Sequence, residues 1–181
     1  MTEEELRESY NTYWQEVPLG SGCDGYIRAR VYLDLGLEFD SVLDVGCGNG
    51  KAVEVFTKAG KKVMGVEYSH WLFENWIRQK FPRQNIIEGD ASDLPFPDNS
   101  FDLLFSSAVL EHLPEDKAIK AIQEAYRVTK KYFFGFIGYW IDERMKYHLT
   151  LKPKAWWQDK FERVGFILIT VDEVGIHIYK K

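Results

Sequence analysis

Three groups of residues in this 181-residue chain have the types and spacings that do chemistry. The first is Asp44-Val45-Gly46-Cys47-Gly48-Asn49-Gly50, where alternate glycines follow an apolar run and precede a helical pattern. Such glycines let the chain turn sharply and let a ligand lie on bare backbone, and the free N–H groups of the following helix favour an anionic group. The second is Glu67, at the end of the next apolar run, where a carboxylate can accept hydrogen bonds from both hydroxyls of a ribose. The third is the pair His112 and His148, either of which could take a proton from a nucleophile. Each group also has a plain structural reading: a tight turn, a surface acid, a histidine that packs a helix or sits in a solvated loop. Placed together in a strand–helix–strand unit, the loop and the acid read as a ligand site.

Such groups need a scaffold that gathers loop ends. Hydrophobic periodicity predicts helices over 3–16 and 26–36, then strands over 41–45, 62–67, 85–90, 101–107 and 132–137 alternating with helices over 51–59, 69–80 and 114–129. Ser69 suits a helix N-cap, Gly60 a helix end and Pro114 a first helical turn. The alternation predicts an α/β, doubly wound parallel sheet covered on both faces. Right-handed crossovers then put the C-terminal ends of the strands on one edge, where ligands bind. After an irregular stretch, 138–153, a helix over 154–163 and strands over 166–171 and 176–179 close the chain as an antiparallel hairpin. The expected organisation is a single domain, with 1–36 a helical segment able to act as a lid and 37–181 the binding core, carrying a substrate loop at 138–157.

Composition narrows the function classes. Hydrophobic residues at 45% and charged residues at 28% describe a packed chain and exclude disorder over most of its length. A net charge of −5 implies no broad basic face, so nucleic acid is a poor candidate partner. Two cysteines, Cys23 and Cys47, cannot build a disulfide framework or a four-cysteine zinc site, and no metal is expected. The acidic start lacks the apolar run of a secretory signal, and no stretch approaches the ~18 apolar residues that cross a bilayer; no membrane partner and a cytoplasmic location are expected. Tyr139, Trp140, Tyr147, Trp156 and Trp157, interleaved with Arg144, Lys146, Lys152 and Lys154, suggest a substrate cap, although Trp157 and Phe161 at i, i+4 also suit anchoring of the last helix. Tyr10, Tyr13 and Trp14 could fold over a ligand on a hinge at 20–25, and Arg28 or Arg30 could pair with a ligand carboxylate. His70 and His177 read as incidental.

The glycine spacing is G-x-G-x-G, unlike the G-x-G-x-x-G of dinucleotide sites. It resembles motif I of the class I S-adenosylmethionine-dependent methyltransferases. The run from Gly89 to Phe96 is similar to that family's adenine-reading segment, and the run from Phe101 to Leu113 resembles its fourth strand and the active-site segment beyond. The closing hairpin resembles its antiparallel last strand, so the likeness covers roughly residues 40–180 and looks most like the small, stand-alone, small-molecule enzymes.

The resemblance implies a Rossmann-like, mostly parallel seven-stranded sheet, S-adenosyl-L-methionine as cofactor and S-adenosyl-L-homocysteine as product. It places Asp44 near the methionine ammonium, with Gly46, Cys47 and Gly48 along the methionine portion and Cys47 a small filler between the glycines. It also places Glu67 on the ribose, Tyr68 over an adenine face, Asp90 and the Ala91 N–H on the adenine edge, and Ser106 and Ser107 beneath the sulfonium. Where amino-methylating relatives carry Asn/Asp-Pro-Pro-Tyr/Phe, this chain has Ser106-Ser107-Ala108-Val109, which argues against DNA adenine or protein amides as acceptors. No cysteine is placed for attack on a cytosine ring. A small-molecule acceptor is implied, methylated on oxygen or nitrogen by in-line displacement, with His112 and His148 as candidate bases. The run from Lys152 to Trp157 resembles segments of methyltransferases linked to sugar and surface-glycan synthesis, which points to a sugar acceptor. A nicotinamide-dependent oxidoreductase and a binding module without turnover are the alternatives.

Overall fold

The apolar runs pair into one seven-stranded sheet with helices against it; the computed structural model describes residues 1–18, 24–81, 85–139 and 147–181. The chain runs through α1 (Glu3–Glu16), α2 (Gly25–Asp34), β1 (Ser41–Val45), α3 (Lys51–Lys58) and β2 (Lys62–Glu67). There follow α4 (His70–Leu72), a π turn (Phe73–Ile77), α5 (Arg78–Lys80), β3 (Ile86–Glu88), β4 (Phe101–Ser107) and a 3₁₀ turn (Leu110–His112). The last elements are α6 (Glu115–Val128), β5 (Thr129–Phe136), α7 (Lys154–Val164), β6 (Ile167–Val171) and β7 (Ile176–Lys180).

The strand order is β3-β2-β1-β4-β5-β7-β6. The first five strands pair in parallel, and β7 runs antiparallel to both β5 and β6. The order reverses between β1 and β4, so their C-terminal ends flank the crevice where open α/β sheets bind ligands.

Successive strand residues point to opposite faces, and this alternation divides the core in two. Leu43, Val45 and Leu104 join Ala118, Ile122 and Ala125 of α6 and Trp157 and Phe161 of α7. Val42, Leu103 and Phe105 join Tyr32 of α2, Val53 and Phe56 of α3, and Trp14 of α1. Trp157 and Phe161 are both fully buried, which settles their part in anchoring α7.

Two strands depart from the sequence expectation by two residues or more. Strand β5 begins at Thr129, because the chain leaves α6 in an extended conformation and Thr129 pairs at once with Phe101. Strand β3 is only three residues long, as befits an edge strand with a single neighbour.

Candidate functional site

The C-terminal ends of β1, β2 and β4 open into a cavity of about 350 Å³, a small-molecule size. Its floor is the glycine loop. Gly46, Gly48 and Gly50 have φ of 70°, 53° and 79°, a region that side-chain-bearing residues enter only at a cost of roughly 1–2 kcal/mol. A Cβ on Gly46 would stand 2.3 Å from Val109, and one on Gly50 would stand 2.3 Å from Phe81. The Gly46 and Cys47 N–H groups both donate to the Val66 carbonyl, at 2.8 and 3.0 Å, and lock the loop to β2. Cys47 is buried yet lines the cavity, consistent with a small filler.

Two buried acids sit beside this loop. Glu67 accepts the Gly48 N–H on one carboxylate oxygen and the Ser69 N–H on the other, each at 2.9 Å. Burial raises its pKa, and these N–H donors work against the rise. Asp44 is 2% exposed, and its Oδ2 has no hydrogen-bond partner among the described residues. Burial, and then the nearby Glu67, push its pKa up to about 8. A buried carboxyl left this way costs free energy until a donor or cation meets it. The ammonium of an amino-acid-like ligand group is such a donor, so the site fits S-adenosylmethionine.

Beyond β2, Tyr68, Gly89, Asp90 and Ala91 line the same cavity. Asp90 is already engaged: one oxygen accepts the Ser92 N–H and hydroxyl, each at 2.8 Å, and the other accepts Lys117 Nζ at 2.6 Å. Burial opposes its ionisation, but Lys117 and Ser92 outweigh this and hold its pKa below the usual carboxylate value. The Tyr68 hydroxyl donates to the Glu3 carboxylate, and the Arg7 guanidinium lies 4.5 Å over the Tyr68 ring.

Helix α1 roofs the site, with Leu6, Tyr10, Tyr13 and Trp14 lining the cavity. It is latched by Arg7 to Glu88 at 2.5 Å and by Glu3 to Lys117 at 2.6 Å. Asn11 Oδ1 also accepts the Ser69 hydroxyl and the Trp71 N–H, both at 3.0 Å. Most of the expected hinge falls at residues 19–23, outside the described residues, as does Cys23.

The two serines at the end of β4 part company. Ser107 lines the cavity and Ser106 does not, because neighbouring strand residues face opposite ways and only one of the two can look into the site. Ser107 Oγ accepts a hydrogen bond from Arg28 at 3.0 Å, and that guanidinium lies 3.5 Å over the Phe136 ring. Arg28 thus borders the cavity, whereas Arg30 is exposed beside Tyr26.

Past β4, Ala108 takes a left-handed φ of 56°, a strained turn that swings the chain into the 3₁₀ turn. Here the sequence reading missed Glu111, an acid beside His112 in the mostly apolar run from Ala108 to Leu113. It is 1% exposed; Oε1 accepts the Gly138 N–H at 2.9 Å, and Oε2 has no partner among the described residues. Burial pushes its pKa up to about 7. Its backbone carbonyl accepts the N–H groups of Leu149 and Thr150, at 2.9 and 3.0 Å, stapling residues 149–150 to the turn.

The staple brings His148 against His112, with ring centroids 4.5 Å apart and planes at 83°. Burial, and then the proximity of His148, lower the His112 pKa to about 4, while a hydrogen bond to the Tyr147 carbonyl acts against the drop. Burial also lowers the His148 pKa, and its Nδ1 is buried with no partner among the described residues. Both imidazoles are therefore neutral near pH 7.

The expected cap is only partly seen. Tyr147 and His148 line the cavity; Trp140, Arg144 and Lys146 lie outside the described residues. Residues 152–157 do not line it: Lys152 pairs with Glu115 at 2.7 Å, Lys154 with Glu173, and Trp156 packs against Lys152 and Lys160. Among the other histidines, His70 pairs with Glu88 at the surface, and His177 is fully buried against Tyr139 and Tyr179.

The methyltransferase domain family matches residues 43–132, from the middle of β1 into β5. Over 89 residues the chain is 40% identical to demethylmenaquinone methyltransferase of Renibacterium salmoninarum, a match covering 49% of this chain and 36% of that one. Over 91 residues it is 31% identical to malonyl-[acyl-carrier protein] O-methyltransferase of Serratia marcescens, covering 50% and 34%. The chain therefore spans about a third of the length of these curated relatives. A TehB-like S-adenosylmethionine-dependent methyltransferase from Corynebacterium glutamicum shares the fold with a TM-score of 0.71, over 98% of this chain and 100% of that chain, at 22% identity. Among the described residues, no helix is long and apolar enough to cross a membrane. With that domain match running across the glycine loop and β4, on this sheet, the chain belongs to the class I S-adenosylmethionine-dependent methyltransferases.

Proposed function

We propose that this chain moves the methyl group of S-adenosylmethionine to an oxygen or nitrogen of a small molecule, with an oxygen favoured. The observation that carries this reading is a single cavity lined both by a buried carboxyl, Asp44, and by Glu111 and His148, each with a polar atom that has no partner among the described residues. Bound there, the cofactor supplies a methyl group on a cationic sulfur, open to in-line displacement. Asp44 would hold the ammonium and Arg28 the carboxylate of its amino-acid end, with Gly46, Cys47, Gly48 and Ser107 alongside. Glu67 would hold the ribose through lone pairs that Gly48 and Ser69 leave free, and Tyr68, Asp90 and the Ala91 N–H would border the adenine.

At the acceptor end, His148 Nδ1 would accept the hydrogen bond of an acceptor hydroxyl and take its proton, while the Tyr147 carbonyl holds the His112 ring in place. Neutral imidazoles are competent proton acceptors, which an alcohol needs more than an amine does. The α1 roof, with its aromatic underside, favours a small acceptor over a nucleic acid duplex. Sugars fall within this class, although residues 152–157 do not border the cavity.

The test is transfer of label from methyl-labelled S-adenosylmethionine to a panel of small alcohols, sugars and amines. Transfer to a hydroxyl compound that falls about 100-fold in His148→Ala, with S-adenosylhomocysteine affinity unchanged, supports the reading. Cofactor binding with transfer to no member of the panel would favour a binding module without turnover.

A further inference from the structure

We propose that Glu111, His112 and His148 together bind one divalent first-row transition-metal ion, with Zn²⁺, Mn²⁺, Fe²⁺ and Co²⁺ as the chemical class. Each residue offers one ligand atom, and the three atoms lie within 4.8 Å of one another. On a shared ion at about 2.1 Å, ligand atoms stand roughly 3.5 Å apart, so the cluster needs only a small contraction to close. Two imidazoles and one carboxylate suit these borderline ions better than Ca²⁺ or Mg²⁺, which take oxygen donors.

Several features outside the three ligand atoms resemble the supports of a metal site. The Gly138 N–H fixes one Glu111 oxygen at 2.9 Å and leaves Oε2, buried and unpartnered among the described residues, to face the histidines. The Tyr147 carbonyl takes one His112 N–H, which fixes the ring and leaves its other nitrogen as a lone-pair donor, the usual arrangement of a ligating histidine. His148 Nδ1 is likewise buried and unpartnered among the described residues. Gly138 keeps the cluster open, since a Cβ there would stand 3.3 Å from both Glu111 Oε1 and His148 Cε1. Arg28 is the opposing cation nearby, and it is held by Ser107 and Phe136.

All three ligands line the cavity, and three protein ligands leave at least one coordination position for a lone pair from outside. An acceptor would then dock on the ion and not on the imidazole. That role rests on the methyl-transfer reading, whereas ion binding itself does not.

The experiment adds Co²⁺ to the full chain after chelator treatment, with visible absorption recorded and S-adenosylhomocysteine titrated into the same sample. The expected result is one equivalent of Co²⁺ with a ligand-field band. Its affinity should fall at least tenfold in Glu111→Gln and in His148→Gln, both of which keep their melting temperatures and S-adenosylhomocysteine affinity. No band, or a band that survives both substitutions, overturns the site. S-adenosylhomocysteine binding without a Co²⁺ band overturns the metal alone, and a band without S-adenosylhomocysteine binding supports the metal and overturns the cofactor reading.

Discussion

At the β1–β2 end of the cavity the contacts available to a ligand are largely backbone: three left-handed glycines, a loop bonded to Val66, and two acids on strands. At the opposite end they are side chains on irregular segments, with His112 in a 3₁₀ turn and His148 in a stretch held by two hydrogen bonds to one carbonyl. On the proposed function, the difference follows from what each end would recognise. A ligand common to a whole family can be met by fixed backbone geometry, which tolerates little change. An acceptor that differs between enzymes is met by side chains on loops, which can vary without disturbing the sheet.

This contrast predicts that substitutions at the first end cost stability and cofactor affinity, while those at the second cost turnover. The largest effect is expected for Gly46→Ala, which meets Val109 and also forces a left-handed φ on a residue with a Cβ. It should destabilise the fold by about 2–4 kcal/mol in urea denaturation; a loss under ~1 kcal/mol would show the loop to be softer than its geometry implies.

Asp44→Asn should weaken S-adenosylmethionine binding by about 2–3 kcal/mol in titration calorimetry. The same change should help the ligand-free protein. The Asp44 pKa in the folded chain, about 8, lies above the ordinary ~3.9 of an unfolded aspartate. Its contribution to stability is therefore complete below pH ~4 and lost as pH rises through about 8. Relative to wild type, the melting temperature of Asp44→Asn should climb between about pH 4 and pH 8 and level off above that.

Glu67→Ala should weaken cofactor binding by at least ~1.5 kcal/mol, and an unchanged affinity would remove the ribose role. Lys117→Ala should have the smallest effect, under ~1 kcal/mol on stability, because its pairs with Glu3 and Asp90 are partly exposed. It should nonetheless speed proteolysis of α1, the element it latches.

The proposed cofactor end was largely legible in the sequence and the proposed acceptor end was not. Gly46, Gly48, Gly50 and Glu67 announce themselves because backbone geometry dictates residue type at a fixed spacing. Five strands could be read because buried parallel strands are short apolar runs, and the closing hairpin because a four-residue connection forces antiparallel pairing. Ser106 and Ser107 could not be told apart, because a run of two serines does not reveal which one faces the crevice. Glu111 escaped because its meaning lies in a contact with Gly138, distant in sequence, and in the staple to residues 149–150. The aromatic and basic character of 152–157 pointed to a substrate surface, yet its ion pairs with Glu115 and Glu173 and its buried Trp157 spend those side chains on packing.

The most direct measurement is titration of the full chain with S-adenosylhomocysteine near neutral pH, in two buffers of different ionisation enthalpy, with NADH titrated in parallel. Micromolar binding of S-adenosylhomocysteine, with release of a proton as Asp44 ionises against the ligand ammonium, and no binding of NADH, is the expected result. No heat with S-adenosylhomocysteine, or binding of NADH in its place, would contradict the account of this cavity as a cofactor site built on Asp44, the glycine loop and Glu67.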